Sequence, residues 1–574
     1  EPYGSRTSFE FPGKVTFMSI GFGSKQSGSP TGALIIGTIF YTAAEYWPEF
    51  TGTNPDAGDH FYLGFFQFLG AMAVLSGLAG YYARWKKNEK IKEAEAISNT
   101  FGTAAFATSD ECRAAGLFDP NGLYLGLMEG QPLFYSGKAH LLTVAPARQG
   151  KGISTVIPNL LHFQGSMFVT DPKGELAAVT AKHRKEHFGQ DVVVLNPWRL
   201  HGLPQHQYNP LQPLLDAAND PLLVRGIFDE AKSLALQLLP EPEDARNRYF
   251  REGSRTILRG LMLHLATFAR QENCTLTEMW LTLSSMRRME GVLQEMCESE
   301  ALYGAVAALG SDLLQQATDN PEQFADFRQG AVQAVDIFDP VGWLSDCVSD
   351  SDVSFTDLKN KNTTIYLVIP QDKIATHGAW LGLVTQQAVK DVARSKGSNE
   401  VLFLLDEFAN MGRLAGLAES LTALPGLGVR VWAIVQELSE LIRIYGPHTA
   451  ATVMSQAEVK QFFAVQDKNL ASMLSQLMGQ RTVKTRSYGL GPDTRADVSL
   501  NLGETGQPLM SPAEVRLMAP DEQLLFVNQV SPIRANRMPF WFVDPWMHWV
   551  EENPVEGAYP MTLPELTMKY QARN

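Results

Sequence analysis

The tripeptide Gln149-Gly150-Lys151 stands where an apolar run gives way to a helix-forming segment. Upstream is His140-Leu-Leu-Thr-Val-Ala145, and downstream is Ile153-Ser-Thr-Val-Ile-Pro-Asn-Leu-Leu161. Strand, tight loop, helix is the order that turns successive backbone N–H groups and a helix N-terminus toward phosphate oxygens, while one lysine reaches the β and γ oxygens. Ala147, Arg148, Gln149, Gly150, Lys151, Gly152 and Ile153 therefore form the candidate nucleotide cradle, with Lys151 as its lysine. Against the pattern G-x-x-x-x-G-K-[ST], Ala145 replaces the first glycine and Gly152 replaces the hydroxyl residue that would bind magnesium. Ser154 and Thr155 come too late to be comfortable substitutes. Taken alone, this segment is as consistent with a chance Gly-Lys pair as with a nucleotide site.

A second group completes the chemistry. Val401-Leu-Phe-Leu-Leu405 is an uninterrupted apolar run, as in a central parallel strand, and it ends in Asp406-Glu407. One carboxylate at such a tip holds magnesium, usually through water, and its neighbour orients or deprotonates the attacking water. Asp406 takes the metal role and Glu407 the water role; the plain alternative is a solvated acidic turn. Val429-Arg-Val-Trp-Ala-Ile-Val435 ends in Gln436, which would sense the γ-phosphate. Ser166-Met-Phe-Val-Thr170 runs into Asp171, a helix cap or a possible second magnesium ligand, capping being the commoner role. Functional residues of parallel sheets gather at the carboxyl ends of strands, so these tips can meet in one crevice. The agreement of order, strand character and tip chemistry points to an ATP and Mg2+ site.

The elements that must position these residues make an α/β fold with an insertion. Lys151 and Asp406 lie far apart, with apolar residues at helical spacing in Arg255 to Ala269 and Leu293 to Ala308 and a polar connector from Glu241 between them. An all-helical domain over about Leu214 to Phe338 is expected. The sheet resumes at Thr363-Thr-Ile-Tyr-Leu-Val-Ile-Pro370, with later strands at Glu458 to Val465 and Gln523 to Val527.

At 574 residues, with 45% hydrophobic and 19% charged residues, the chain is a folded protein of several domains. A net charge of −14 argues against a surface that grips nucleic acid throughout, though it leaves room for a narrow basic channel. The four cysteines show no paired spacing and are expected to be reduced thiols. Phe61 to Tyr82 carries no charge and is long enough to span a bilayer. Thr31 to Trp47 is apolar apart from Glu45 and is read as a first span. The soluble alternative for both is a buried helical hairpin. Arg84, Lys86, Lys87, Lys90 and Lys92 follow the second span, whereas the loop between spans carries Glu49, Asp56 and Asp59, so the bulk of the chain is expected in the cytoplasm. Both apolar stretches are internal, so no cleaved signal peptide is expected.

The combination resembles the coupling ATPases of type IV secretion systems, the TraG/TraD class. The residues that carry the resemblance are Ala145-Pro-Ala-Arg-Gln-Gly-Lys-Gly152, Val156-Ile-Pro-Asn-Leu160, Asp171-Pro-Lys-Gly-Glu175, Tyr208-Asn-Pro-Leu211, Leu404-Leu-Asp-Glu-Phe-Ala409, Gly412-Arg-Leu414 and Val435-Gln436, with Pro508-Leu509, Ser511-Pro512 and Val543-Asp-Pro545 near the end. Lysine followed by glycine resembles the usual form of this class, so Gly152 does not imply a dead enzyme. The resemblance implies a RecA-like P-loop nucleotide-binding domain with an inserted all-α domain and an N-terminal two-helix transmembrane anchor. It also implies a homo-hexamer with sites at subunit interfaces, completed by an arginine from the neighbour, for which Arg430 and Arg413 are candidates. Implied partners are type IV secretion inner-membrane components, a relaxase with single-stranded DNA or protein effectors, and membrane lipid. A long acidic docking tail after Asp544 is not expected.

The expected division is residues 1–30 as an N-terminal cytoplasmic segment, 31–83 as a transmembrane hairpin with a short periplasmic loop, 84–110 as a juxtamembrane stalk, 111–213 as the first part of the nucleotide-binding domain, 214–338 as the all-α domain and 339–574 as the second part. The expected location is the bacterial inner membrane. Two other readings stand beside a coupling ATPase: a nucleotide-binding docking receptor with little turnover, and a double-stranded DNA translocase of the chromosome-segregation type, which the lack of a dedicated DNA-reading C-terminal module disfavours.

Overall fold

The computed structural model describes residues 30–46, 57–95, 99–241, 247–414, 416, 420–490, 498–543 and 545–558. The segment before Pro30, the loop residues Glu49 and Asp56, the connector 242–246 and Asp544 lie outside the described residues. The chain divides into two compact units, Glu1–Thr103 with Arg481–Gln507, and Ala104–Gln480 with Pro508–Asn574.

In the first unit, helix α1 (Pro30–Glu45) packs along helix α2 (Ala57–Glu95). Within α2, Leu63–Lys86 is long and apolar enough to cross a membrane, with a mean hydropathy of 1.6, and α1, at 16 residues, falls short of the roughly 20 that a span needs. Large apolar side chains of α2, among them Phe68, Leu75 and Tyr82, are exposed. The charged residues after the span continue the same helix to Glu95. The helices touch through glycines. A Cβ on Gly70 would lie 2.8 Å from the Gly37 carbonyl oxygen, and one on Gly37 would lie 2.7 Å from the Gly70 carbonyl oxygen. Such small residues let backbones approach where lipid supplies no hydrophobic drive between helices. Above them Thr31 Oγ1 and Tyr81 OH share a 2.7 Å hydrogen bond. A two-stranded sheet, Gln480–Leu490 with Val498–Pro508, accounts for the rest of this unit's regular structure among the described residues.

The second unit is built on an 11-stranded mixed sheet. In chain order its strands are β1 (Leu123–Met128), β2 (Gln131–Tyr135), β3 (His140–Val144), β4 (Ser166–Pro172), β5 (Asp191–Leu195), β6 (Thr363–Ile369), β7 (Val401–Leu405), β8 (Val429–Val435), β9 (Ala457–Phe463), β10 (Glu522–Val527) and β11 (Ile533–Asn536). Their spatial order is β2-β1-β11-β10-β9-β3-β8-β7-β4-β6-β5. Every pairing from β9 through β5 is parallel. Every pairing on the other side is antiparallel. All residues of β3, β6, β7 and β8 are buried, which is why they read as continuous apolar runs. One chain of polar groups runs through this layer: Trp432 Nε1 donates to Thr143 Oγ1 (2.9 Å), which donates to Gln461 Oε1 (2.7 Å), and Gln461 Nε2 donates to the Leu125 carbonyl (3.0 Å).

Between β5 and β6 the described regular elements are all helical, and they share one apolar cluster with a face of the sheet. The helical spacing over Leu293 to Ala308 spans a break, with helices at Met286–Cys297 and Ala305–Asp319. Leu302, Tyr303 and Gly304 between them all have positive φ, a turn that repeating apolar spacing does not reveal. Helix Glu175–Glu186 covers the other face, and its Arg184 is fully buried. The guanidinium donates to the carbonyls of Leu160 (2.7 Å), Phe163 (3.0 Å) and Gly165 (2.8 Å), and to Gln190 Oε1 and Thr364 Oγ1. Burial pushes its pKa down to about 10, which leaves it charged at neutral pH.

The Gly37–Gly70 approach is testable. Gly70→Val should lower the stability of the detergent-solubilised protein by about 2 kcal/mol, because added atoms meet backbone that cannot yield. An unchanged melting midpoint would count against this contact.

Candidate functional site

Strands β3, β8, β7 and β4 are neighbours, so their carboxyl ends form one continuous rim. The loop after β3 carries Ala147 to Lys151, Asp406 and Glu407 follow β7, Gln436 follows β8, and Asp171 lies near the end of β4. The sheet thus brings the sequence-predicted residues together.

The loop is shaped by two left-handed residues, Arg148 (φ 60°) and Gly150 (φ 74°), flanking Gln149. Alternation of this kind turns backbone N–H groups into a concave anion cradle. Lys151 opens a continuous helix, Gly152 to His162, whose first turn is wide: the Ile157 N–H reaches back to the Gly152 carbonyl. A Cβ at Gly152 would meet nothing within 4 Å. Ser154 Oγ is turned back onto the Gly150 carbonyl (2.7 Å), and Thr155 is buried.

Lys151 Nζ donates to Asp406 Oδ1 (2.7 Å) and to Glu407 Oε1 (2.8 Å), with all three side chains largely buried. Burial alone would push the ammonium pKa down, but the two carboxylates outweigh it and hold it above its ordinary value. Burial raises Asp406 against the pull of Lys151. Glu407 sits at φ 56°, an uncommon conformation for a side-chain-bearing residue, at the start of the turn Phe408–Met411. Its carboxylate accepts from Gln436 Nε2 (2.9 and 3.0 Å) and from Asn410 Nδ2 (3.0 Å) as well as from Lys151. Thr170 Oγ1 fixes the Asp406 carbonyl (2.9 Å). Asp171 accepts from the Ala177 N–H (2.8 Å), the geometry of a cap on the following helix, and burial raises its pKa to about 7. Among the described residues no group of three or more His, Cys, Asp or Glu side chains is arranged to hold a metal.

Three residues were absent from the sequence reading of the site. Asn410 lies just past the acidic pair and could have been suspected from that nearness. Thr170 ends an apolar run. Arg537, which donates to the Gln149 carbonyl, follows β11 and carries no motif at all. Of the arginines considered for a neighbouring site, Arg430 is 4% exposed, donates to the Gly137 carbonyl (2.9 Å) and pairs with Glu400 (3.2 Å). It lies at the amino end of β8, about 20 Å of strand from Gln436. Arg413 is exposed.

Parallel strands, a glycine-lysine loop after β3 and an acidic tip on β7 define a RecA-like P-loop fold with a mixed sheet. Residues 84–562 match the family described as type IV secretory system conjugative DNA transfer, and the chain belongs to that family. It is 27% identical over 460 residues to protein VirD4 of Agrobacterium fabrum, a match covering 77% of this chain and 66% of that protein. It is 25% identical over 512 residues to conjugal transfer protein TraG of Escherichia coli, covering 77% of each. The chain spans 62–66% of the length of the VirD4 relatives it matches. Among solved structures, the bacterial conjugative coupling protein TrwBΔN70 in complex with sulphate superposes with a TM-score of 0.56 at 15% identity, over 77% of this chain and 95% of that one. Plasmid coupling protein TrwB in complex with ADP and Mg2+ gives 0.55 at 16% identity, over 76% and 94%.

The shared ammonium makes a stability prediction. Lys151→Met leaves two buried carboxylates facing each other and should destabilise the nucleotide-free protein by about 3 kcal/mol in denaturant unfolding, with partial recovery in Lys151→Met/Glu407→Gln. A loss within error of zero would mean that the ion pairs hold nothing together.

Proposed function

We propose that this protein is an ATP-driven coupling protein of a type IV secretion system. In this reading it is anchored in the bacterial inner membrane by the long apolar stretch of α2 and by the shorter α1 packed along it as a second span, with the bulk of the chain in the cytoplasm. It recruits relaxase-bound single-stranded DNA, protein effectors or both and delivers them to the channel. The observation that carries the reading is the meeting of Lys151, Asp406, Glu407 and Gln436 at one rim of a parallel sheet, beside a loop shaped as an anion cradle. Membership in a conjugative DNA transfer family supports DNA as a passenger and favours coupling over chromosome segregation. ADP and Mg2+ on the related TrwB support the same cofactors here.

The chain's own groups divide the work. Backbone N–H groups from Ala147 to Ile153 bind the phosphates, and Lys151 exchanges its carboxylate contacts for phosphate oxygens. Asp406 would hold magnesium, with no hydroxyl at position 152 to share it, and Asp171, as a cap, would contribute at most indirectly. Magnesium, when bound, neutralises charge that builds on the phosphate oxygens. Once Lys151 has moved, Glu407 can accept a proton from the attacking water while Asn410 and Gln436 keep its carboxylate oriented. Subunits assemble as a homo-hexamer, and Arg413, exposed beyond the acidic turn, is the better placed of the two arginines to complete a neighbour's site. The helices between β5 and β6 form the all-α domain that receives substrate.

A docking receptor with little turnover of its own is the second reading, favoured by Gly152 and by the inward turn of Ser154. Phosphate release by the purified oligomer, with and without DNA, separates the two. Robust release that falls by about a hundredfold or more in Glu407→Gln is expected for the ATPase. Lys151→Ala and Glu407→Gln should both remain in the membrane and abolish transfer, and full transfer by both would end the coupling-ATPase reading.

A further inference from the structure

Arg537 is 6% exposed and lies directly beneath the phosphate loop. Its guanidinium lies over the Phe463 ring, 4.4 Å from the centroid, at the end of β9. Nη1 donates to the Gln149 carbonyl and Nη2 to the Pro520 carbonyl, while the Arg537 backbone N–H donates to the Asp521 carbonyl (2.6 Å). A Cβ on Gly150 would come within 3.8 Å of Nη1, so the cation touches the loop at its crown.

The consequence follows from peptide geometry. The bond between Gln149 and Gly150 is planar and trans, so its C=O and N–H point in opposite directions. A guanidinium that draws the Gln149 oxygen toward the sheet turns the Gly150 N–H outward, onto the side where a phosphate would lie. Gly150 at φ 74° has the freedom to flip that peptide, because glycine occupies both halves of the φ range at little cost. The flip would replace an outward donor with an outward oxygen and repel an anion. Arg537 itself follows β11, and its second carbonyl, Pro520, precedes β10, so the hold on this peptide comes largely from the antiparallel strands.

We propose that Arg537 is a positioning residue that sets the Gln149–Gly150 peptide with its N–H toward the nucleotide phosphates, and so makes phosphate affinity depend on the C-terminal strands. Arginine is required: a planar fork can hold two carbonyls and stack on an aromatic ring at once, whereas a lysine ammonium offers one point of charge. The inference rests on the reading of residues 147–153 as a phosphate loop.

The test is binding of fluorescent ADP to the full chain in detergent, comparing Arg537→Gln, Arg537→Lys and Lys151→Ala with the parent, together with hydrogen exchange of the loop amides. Both Arg537 variants should raise the ADP dissociation constant about tenfold or more, and the rise in KM for ATP should exceed the fall in kcat. Exchange at Gly150 should accelerate while the β7 and β8 amides stay protected, a pattern that general loosening of the core would not give. If Lys151→Ala loses ADP binding but both Arg537 variants bind like the parent, the inference falls and the site reading stands. If Lys151→Ala binds ADP like the parent, the site reading itself falls. Loss of folded protein in both Arg537 variants would assign the residue to core stability and overturn the proposal.

Discussion

Parallel pairing imposes a direction. When strands run the same way and each is buried on both faces, their carboxyl ends finish at one rim, and whatever residue follows each strand is delivered there however distant it is in sequence. Here β3, β8, β7 and β4 are adjacent; Lys151, Gln436 and Asp406 with Glu407 follow the first three, and Asp171 lies within the fourth strand just before its end. The Lys151 ammonium between the two carboxylates is the electrostatic expression of that constraint. Nothing local to the loop could have brought these groups together. The helical insertion between β5 and β6 leaves the arrangement intact because it departs from and returns to the same sheet edge.

This constraint also explains what the sequence made legible. Strands buried on both faces leave unbroken apolar runs, so β3, β4, β6, β7 and β8 could be read with the polar residues at their tips. The antiparallel extension was read only in part. β10 is apolar enough to find, but β11, Ile-Arg-Ala-Asn, has no run to recognise, and β1 and β2 were not seen. Arg537, just past β11, was invisible for the same reason, although its guanidinium acts on the very loop that the sequence singled out. The left-handed conformation of Glu407 could not be anticipated either, since only the packed turn after β7 holds a glutamate there.

The missing hydroxyl at Gly152 looked like the weak point of the site. The structure gives it a physical setting: Ser154 is committed to the Gly150 carbonyl, which ties the crown of the loop to the first helical turn. The loop is held from both sides, by Ser154 on its helical side and by Arg537 from the sheet, while the acidic pair is oriented by Asn410, Gln436 and Thr170. Charged groups meet on one side of this frame and neutral donors organise them.

The buried Arg184 bears on the same loop from a distance. The helix that begins at the phosphate loop ends at the carbonyls that Arg184 collects, Leu160 and Phe163 among them. A helix behaves as a rod with a positive amino end and a negative carboxyl end, and a full positive charge at the far end cancels the negative pole. What remains is a one-ended electrode: its positive pole faces the crevice without a compensating pole on the same axis. Arg184 thus relieves the carboxyl pole at the root of this helix, on the same face of the sheet, and the amino pole is left to the phosphate loop.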